Sequence, residues 1–482
     1  MAKILFINPN KWGRGITPIW VASHAGLLKK NSHEVELFDC TFFLNWTDNE
    51  IKFNTENKQY KKSNYENLIK FDKNDVYKEL QKKIDDFCPD VIFWSAISSH
   101  IHGEGEYVNI EHGYNLISKI ETKAILITGG LQATASPKHI LENFHKIRYL
   151  IRGESEIVLL NLLNQINENN THLIESLEGI SYLDKNQKLV ENRKQKIISD
   201  LDDLEIYDYS IFDDQVFYRP YNGEVLRGVD YEMSRGCVFT CGYCVETIIQ
   251  RYYGFEDNTR GLLKNSKNYL RNKSAERIFE EILKVKKEKK IDLLRCQDTN
   301  FLTINRKILS KLAELFQINK IDIKLYIETR PEGITDITVE LLKKLNVDGV
   351  GMGIELAAEG FREESLNRYA SHQKIINAFE ILKKNNIKRT AYNIIGLPNQ
   401  TEEMIKNTIK YNKMLNPDNV TVAYYSPYTG TNEQIKSVEV GDFENNVENV
   451  DGQLRSLSKS SELSIEKLNY YKRNFVNLVY NL

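Results

Sequence analysis

The sequence predicts an α/β protein of two alternating units, a Rossmann-like doubly wound parallel sheet followed by a partial (βα)6 barrel. Three observations carry this reading. Short apolar runs of strand length alternate with helical patterns over residues 1–160. A second alternation starts at Tyr231 and supplies six strands, about two βα units short of a closed eight-strand barrel. The chain has 482 residues, more than one ordinary core holds, and its 41% hydrophobic and 27% charged residues are a globular balance.

In the front unit, residues 4–7 (Ile-Leu-Phe-Ile) read as a buried strand, followed by a helix from Pro18 to Lys30 and a strand at 34–38. Strands at 91–94, 124–128 and 148–151 follow, with helices near 104–119, 137–144 and 155–166. An Asn- and Lys-rich stretch at 45–75 interrupts the pattern and reads as a solvated insertion with room for one helix. Residues 170–228 change character. A hairpin signal surrounds Asp184-Lys185-Asn186, and the acidic, aromatic text of 200–214 reads as a connector packed between the two units. Barrel strands are expected at 230–234, 292–296, 324–328, 349–355, 390–395 and 420–425, with helices near 274–289, 305–317, 336–345, 373–385 and 401–414. The expected boundaries are 1–168 for the front domain, 169–228 for the connector, 229–430 for the barrel and 431–482 for a tail. That tail ends in an amphipathic helix at 464–479.

Charge narrows the partners. Lys plus Arg is 65 and Asp plus Glu is 67, a formal charge of −2, which gives no general attraction to nucleic acid or acidic membranes. The longest apolar runs, such as 91–97, are too short to span a bilayer, and MAKILFINPN lacks the features of a signal peptide. A cytoplasmic protein is expected.

Six cysteines in such a chain do not make a disulfide scaffold. Cys40, Cys88 and Cys296 are scattered, and Cys40 and Cys88 read as ordinary buried thiols. Cys237, Cys241 and Cys244 instead fall together, directly after the first barrel strand. Three thiolates can hold three irons of a four-iron cubane and leave the fourth open. Zinc asks for a fourth ligand, which His100, His102 or His112 would have to supply through folding. Three buried thiols in a loop are the plain alternative.

The loop Ser234-Arg-Gly-Cys-Val-Phe-Thr-Cys-Gly-Tyr-Cys244 resembles the defining motif of the radical S-adenosylmethionine (SAM) superfamily. The resemblance implies that Cys237, Cys241 and Cys244 hold a catalytic [4Fe–4S] cluster whose open iron binds SAM and reductively cleaves it to a 5′-deoxyadenosyl radical. Tyr243 would lie near the adenine. Further segments resemble motifs down the same barrel: Gln297-Asp298-x-Asn300-Phe301, Glu328-Thr-Arg330, Gly351-Met-Gly353-Ile-Glu355, Leu366-Asn-Arg368, Asn393-Ile-Ile-Gly396-Leu-Pro398 and Ser426-Pro-Tyr428-x-Gly430-Thr. They imply SAM contacts at Asp298, Arg330, Glu355, Arg368, Asn393 and Gly396. A carboxylate and an arginine suit SAM's ammonium and carboxylate, although the same ions serve equally well as barrel salt bridges.

The front unit resembles the cobalamin-binding domain that precedes the barrel in one branch of that superfamily. The matching text is Asn8-Pro-Asn10, Thr17-Pro-Ile, 33–39, Ile92-Phe-Trp-Ser95, Thr128-Gly-Gly130-Leu-Gln132-Ala-Thr134 and Arg152-Gly-Glu-Ser-Glu156, so the resemblance covers residues 1–430 in all. It implies cobalamin contacts at Thr17, Pro18, Ser95, Gly129, Gly130, Gln132, Gly153 and Glu154. The Asp-x-His-x-x-Gly motif that supplies an axial histidine elsewhere is absent, so cobalamin is expected without a protein histidine on cobalt. Trp12 and Trp94 read either as neighbours of the corrin or as core aromatics.

Together these likenesses imply a methyltransferase acting on an unactivated carbon of a small molecule, fed by an electron donor such as flavodoxin or ferredoxin, with no nucleic-acid partner. Three alternatives stand beside it: a radical rearrangement or cyclisation without methyl transfer, a tRNA methylthiotransferase, and a non-catalytic iron–sulfur protein. The methylthiotransferase reading asks for three more clustered cysteines, where only Cys40 and Cys88 stand in front.

Overall fold

A computed structural model describes residues 1–48, 50–95, 110–256, 258–425, 428–441 and 463–481. Two seven-stranded sheets organise it. The front sheet contains β1 (Lys3–Asn8), β2 (Glu34–Asp39), β3 (Val91–Trp94), β4 (Ile125–Thr128), β5 (Tyr149–Ile151), β6 (Ile180–Leu183) and β7 (Leu189–Glu191). Its order is β2-β1-β3-β4-β5-β6-β7, parallel through β5 and antiparallel beyond. Alternate residues of β1 feed different cores, which is why the strand reads as continuously apolar. Ile4 and Phe6 join Trp20 and Leu159 on one face, whereas Leu5 and Ile7 join Leu80, Ile84 and Leu116 on the other. The strand order reverses between β1 and β3, so a ligand crevice is expected at their carboxyl ends.

The second sheet contains β8 (Tyr218–Tyr221), β9 (Glu224–Tyr231), β10 (Leu293–Cys296), β11 (Lys324–Glu328), β12 (Val347–Glu355), β13 (Lys388–Ile395) and β14 (Asn419–Tyr424). Six of these run parallel in the order β14-β13-β12-β11-β10-β9, and β8 closes the far edge as an antiparallel hairpin with β9. This is the expected partial barrel, curled but unclosed. Among the described residues, no helix is long and apolar enough to cross a membrane.

Four expectations need correction. The insertion at 45–75 carries the expected helix, Glu50–Glu56, and is largely exposed, but it is also anchored: Asn54, Gln59, Tyr65 and Ile69 are buried. Gln59 Oε1 accepts from Val422 N at 2.8 Å on the edge strand β14, and the Lys472 ammonium donates to the Val422 carbonyl. Exposed edge groups need partners, and two side chains from distant parts of the chain supply them here. Composition carries no trace of such a contact. The hairpin at 180–191, expected within the connector, instead extends the front sheet, because β6 pairs with β5. An additional short helix, Gly130–Ala135, follows the glycine pair. Cys88 is exposed, since it takes the left-handed cap position (φ 51°) at the end of helix Val76–Phe87. Of the helix expected near 104–119, Ile110–Ile117 is seen; its beginning lies outside the described residues.

A buried ion network joins the two units. Arg235 donates Nε to Glu232 (2.8 Å), Nη1 to Glu154 (3.2 Å) and Nη2 to Glu156 (2.6 Å), and Arg271 also pairs with Glu154 at 2.8 Å. Glu154 and Glu156 belong to the front unit; both arginines belong to the barrel. Burial pushes the Glu156 carboxyl up, but Arg235 and His24 outweigh it and hold it below the usual range. A second joint is Asp230, whose Oδ2 accepts from Thr17 N (3.0 Å), Thr17 Oγ1 (3.1 Å) and the Arg219 guanidinium. Arg235→Gln should therefore strand buried carboxylates and cost about 3–5 kcal/mol. Glu191→Gln, at the half-exposed partner of Arg152, should cost at most about 1 kcal/mol. Urea denaturation of the two variants beside the parent checks this ordering.

Candidate active site

The three clustered cysteines lie on a loop that its own backbone shapes. Ser234–Arg235 pairs antiparallel with Arg271–Asn272, and Gly236 turns the chain at φ 93°, where a Cβ would stand 2.4 Å from the Tyr269 carbonyl oxygen. Gln250 then donates its amide to the carbonyls of Cys237 (3.0 Å) and Phe239 (2.9 Å). Cys237 and Cys241 are buried, while Cys244 is half-buried at the wall of a cavity. Burial pushes the Cys237 and Cys244 thiols up, so thiolates there need nearby positive charge. Two guanidiniums face the loop, Arg330 Nη1 at 3.4 Å and Arg368 Nη1 at 4.0 Å from Cys241 Sγ.

Glu355 ends β12 at a register shift, with φ 62° in the left-handed region. A non-glycine residue there is strained, and such strain gathers at functional sites. Its carboxylate accepts from Tyr243 OH at 2.8 Å and lies 3.7 Å from Arg368 Nε. Gly353 makes room for them, because a Cβ there would fall 2.2 Å from Glu355 Oε1. Thus Tyr243, Glu355 and Arg368 touch one another beside Cys244, and all four line a cavity of about 520 Å³.

Arg330 and Asn393 also reach this cavity, but the Asn393 amide is engaged by Asn412 Nδ2 (2.7 Å) and the Thr421 carbonyl (3.1 Å). Asp298 and Gly396 do not line it. Asp298 Oδ1 accepts from Ser234 Oγ (2.6 Å) and Met233 N (3.0 Å), which stiffens the start of the cysteine loop. Burial raises its carboxyl to about 7. Gly396 serves a turn, with φ 81° and its N–H on Gln400 Oε1 at 2.7 Å.

In the front unit, Thr17 and Pro18 face the same cavity together with Trp12. Ser95, Gly129 and Gly130 cluster at the ends of β3 and β4, where Gly129 N donates to Ser95 O at 3.1 Å. Gln132 Oε1 accepts from Ile110 N (3.2 Å), Gly153 N donates to Thr134 Oγ1 (3.0 Å), and Glu154 is held by the two arginines. Trp94 is a core aromatic, fully buried against Gly113, with Nε1 donating to the Ile110 carbonyl (3.3 Å). His100, His102, Ser426 and Pro427 lie outside the described residues. Residues that no motif announced also line the cavity, among them Arg14, Tyr60, Arg295, Tyr326 and Tyr392. The signal available for some of them was strand parity: Gly349, Gly351 and Gly353 alternate along β12, and Tyr326 and Glu328 share a face of β11.

Residues 231–411 match the family model described as the radical SAM superfamily. That segment is a radical SAM domain. An anaerobic magnesium-protoporphyrin IX monomethyl ester cyclase of Rubrivivax gelatinosus is 24% identical over 92% of this chain and 72% of its own length. An uncharacterized methyltransferase of Pyrococcus horikoshii is 24% identical over 74% of this chain and 71% of its own. The solved radical SAM methyltransferase TsrM of Kitasatospora setae, with cobalamin and a [4Fe–4S] cluster bound, shares the fold at TM-score 0.66 and 14% identity, over 91% of this chain and 78% of that one. The radical SAM domain takes SAM and a [4Fe–4S] cluster, and the residues present fit both. Among the described residues no three His, Cys, Asp or Glu side chains converge as on a single metal ion. A cubane asks for something different, one thiolate at each of three separate corners. The carboxylate, guanidinium and phenol beside Cys244 are suitable donors and acceptors for SAM.

Two tests follow. Cys241→Ala should lose the cluster's iron and visible absorption together with all reductive SAM cleavage, whereas Cys88→Ala should keep both. Glu355→Gln and Arg368→Ala should each weaken SAM binding roughly ten- to a hundredfold at unchanged iron content, the cost of about 1.5–3 kcal/mol for a lost charge-assisted contact. Equilibrium binding of SAM to the anaerobic holoprotein measures it.

Proposed function

We propose that this radical SAM enzyme is a cobalamin-dependent methyltransferase that methylates an unactivated carbon of a small molecule. One observation carries the reading: a single cavity is walled by Trp12, Thr17 and Pro18 of the front unit and by Tyr243, Cys244 and Glu355 of the barrel. Cofactors held by the two units would thus meet over one substrate. When bound, SAM and the cluster supply hydrogen abstraction, and cobalamin supplies a methyl group to transfer. The chain's own residues would position and shield. Tyr243, Glu355 and Arg368 would orient SAM, with Arg330 offsetting thiolate charge at Cys241. Thr17, Pro18, Ser95, Gly129 and Gly130 would form the cobalamin face, with no histidine on cobalt. Gln59 and Tyr60 line the side of the cavity. This reading includes an electron donor of the flavodoxin or ferredoxin type, a cytoplasmic setting, and a division into front domain, connector, barrel and tail in which the hairpin at 180–191 belongs to the front sheet.

A second reading, ring formation without methyl transfer, is favoured by the cyclase-named relative that spans 92% of this chain. Methyl-deuterated SAM separates the two. Anaerobic protein loaded with cobalamin should show a base-off spectrum and place the labelled methyl group in its product. Absence of label from a product formed with release of 5′-deoxyadenosine supports cyclisation instead, and failure to bind cobalamin removes the methyltransferase reading. Gly130→Val is a poor probe, because φ 88° at that position strains any side chain whatever the ligand.

A further inference from the structure

The cavity extends well below the cysteine loop, and its lower part has a chemistry of its own. Its lining carries six cationic side chains, Arg14, Lys61, Arg219, Arg295, Arg330 and Arg368, against three carboxylates, Asp230, Glu328 and Glu355. Four of these charges are committed to each other: Arg219 to Asp230, and Arg368 to Glu355. Arg330 is paired with Glu332. Arg295 is different. It sits on β10 inside the half-barrel, in register with Asp230 on one side and Tyr326 on the other. Asp230 is already spent on Thr17, Arg219 and Gln297, the last at 2.8 Å to Oδ1. The remaining anion, Glu328, is 3.8 Å from Arg295 Nη2, beyond hydrogen-bond reach, and accepts from Tyr392 OH at 3.1 Å. Among the described residues Arg295 makes no hydrogen bond; it feels the charges of Asp230 and Glu328 and stands 5.6 Å from the centroid of the Tyr326 ring. A guanidinium carries five N–H donors in a planar fork. Enclosed in a barrel, those donors face open cavity.

Aromatic surface surrounds them. Tyr326 and Tyr392 share a hydrogen bond of 2.6 Å across the lumen. They approach over Gly351, where a Cβ would lie 2.5 Å from the Tyr392 hydroxyl and 2.7 Å from that of Tyr326. Arg330 stands four positions beyond Tyr326, about 13 Å along an extended chain. A small molecule held at Arg295 would therefore extend upward between tyrosines toward Cys244.

We propose that Arg295 anchors the substrate by an anionic oxygen group, a carboxylate or a phosphate, inside the half-barrel lumen near the carboxyl end of β10. This rests on the reading that the substrate occupies the cavity, but it does not depend on which reaction follows. A planar fork matches two oxygens of either group, and the flanking phenols suit an unsaturated or aromatic body. Glu328 acts as a loose internal counter-ion that the substrate displaces.

The test uses anaerobic holoprotein with its cluster and SAM, titrated by ligand-observed NMR with 4-hydroxyphenylacetate, phenyl phosphate and neutral 4-hydroxyphenylacetamide. The parent should bind at least one anionic probe and discriminate against the amide, and the stronger of the two identifies the anion. Arg295→Met should weaken that probe at least tenfold, whereas Arg306→Met, on an exposed helix start, should not. Glu328→Gln, which removes the competing carboxylate, should tighten it severalfold, and this variant carries the test if Arg295→Met fails to fold. Binding of neither anion by the parent, equal binding of the amide, or no response to both substitutions overturns the proposal. Reductive SAM cleavage and cobalamin uptake, measured on the same samples, report separately on the proposed function.

Discussion

Arg235 is the contact on which the rest of the arrangement depends. It stands two residues before Cys237, yet its guanidinium is divided among Glu232 of the barrel and Glu154 and Glu156 of the front unit. Its charge is needed where it is, since three buried carboxylates without it would be costly to keep ionised. The cysteine loop therefore takes its orientation from the docking of the two units. Neighbouring groups complete the joint: Tyr207 OH donates to Glu232 at 2.6 Å, and His24 links the Trp20 carbonyl to Ser155 Oγ. Burial lowers the His24 pKa, and the charge of Glu156 opposes that shift.

The cavity follows from a second constraint, the absence of side chains along one face of β12. Gly349, Gly351 and Gly353 each stand where a Cβ would collide with a tyrosine, or with Glu355. Their neighbours fold inward over the bare strand instead. The result is a lumen lined by phenols below and by the Tyr243, Glu355 and Arg368 triad above. Because the sheet is not closed, the lumen needs another wall, and the insertion at 45–75 supplies it through Gln59 and Tyr60. Lys472, fully buried under β14, holds the same edge from the outside.

Much of the fold was legible in the sequence because parallel strands buried on both faces appear as apolar runs, and their order is constrained by right-handed crossovers. Strand ends moved by a few residues: β9 begins at Glu224, ahead of the expected 230. The site was legible where chemistry is local. Cys237, Cys241 and Cys244 announce themselves by spacing, and Glu355 and Arg368 by motif. It was illegible where a residue acts through a distant partner. Glu154 carries a cobalamin-like motif but spends its carboxylate on Arg235 and Arg271, and Asp298 turns away from the cavity to brace Ser234.

By itself, then, the sequence determined the two alternating sheets, the thiol triplet after the first barrel strand and the ionic residues beside it, since each depends on neighbours within a few positions. Only the tertiary structure decided that the Asn- and Lys-rich insertion is anchored by a few buried residues, that Trp94 is core while Trp12 lines the cavity, and that Arg295 lines the lumen with no hydrogen-bond acceptor among the described residues. Those outcomes depend on which strand lies beside which, and on how two units dock. Pair contacts across hundreds of residues leave no periodicity, and a charge shows its partner only once the chain has folded.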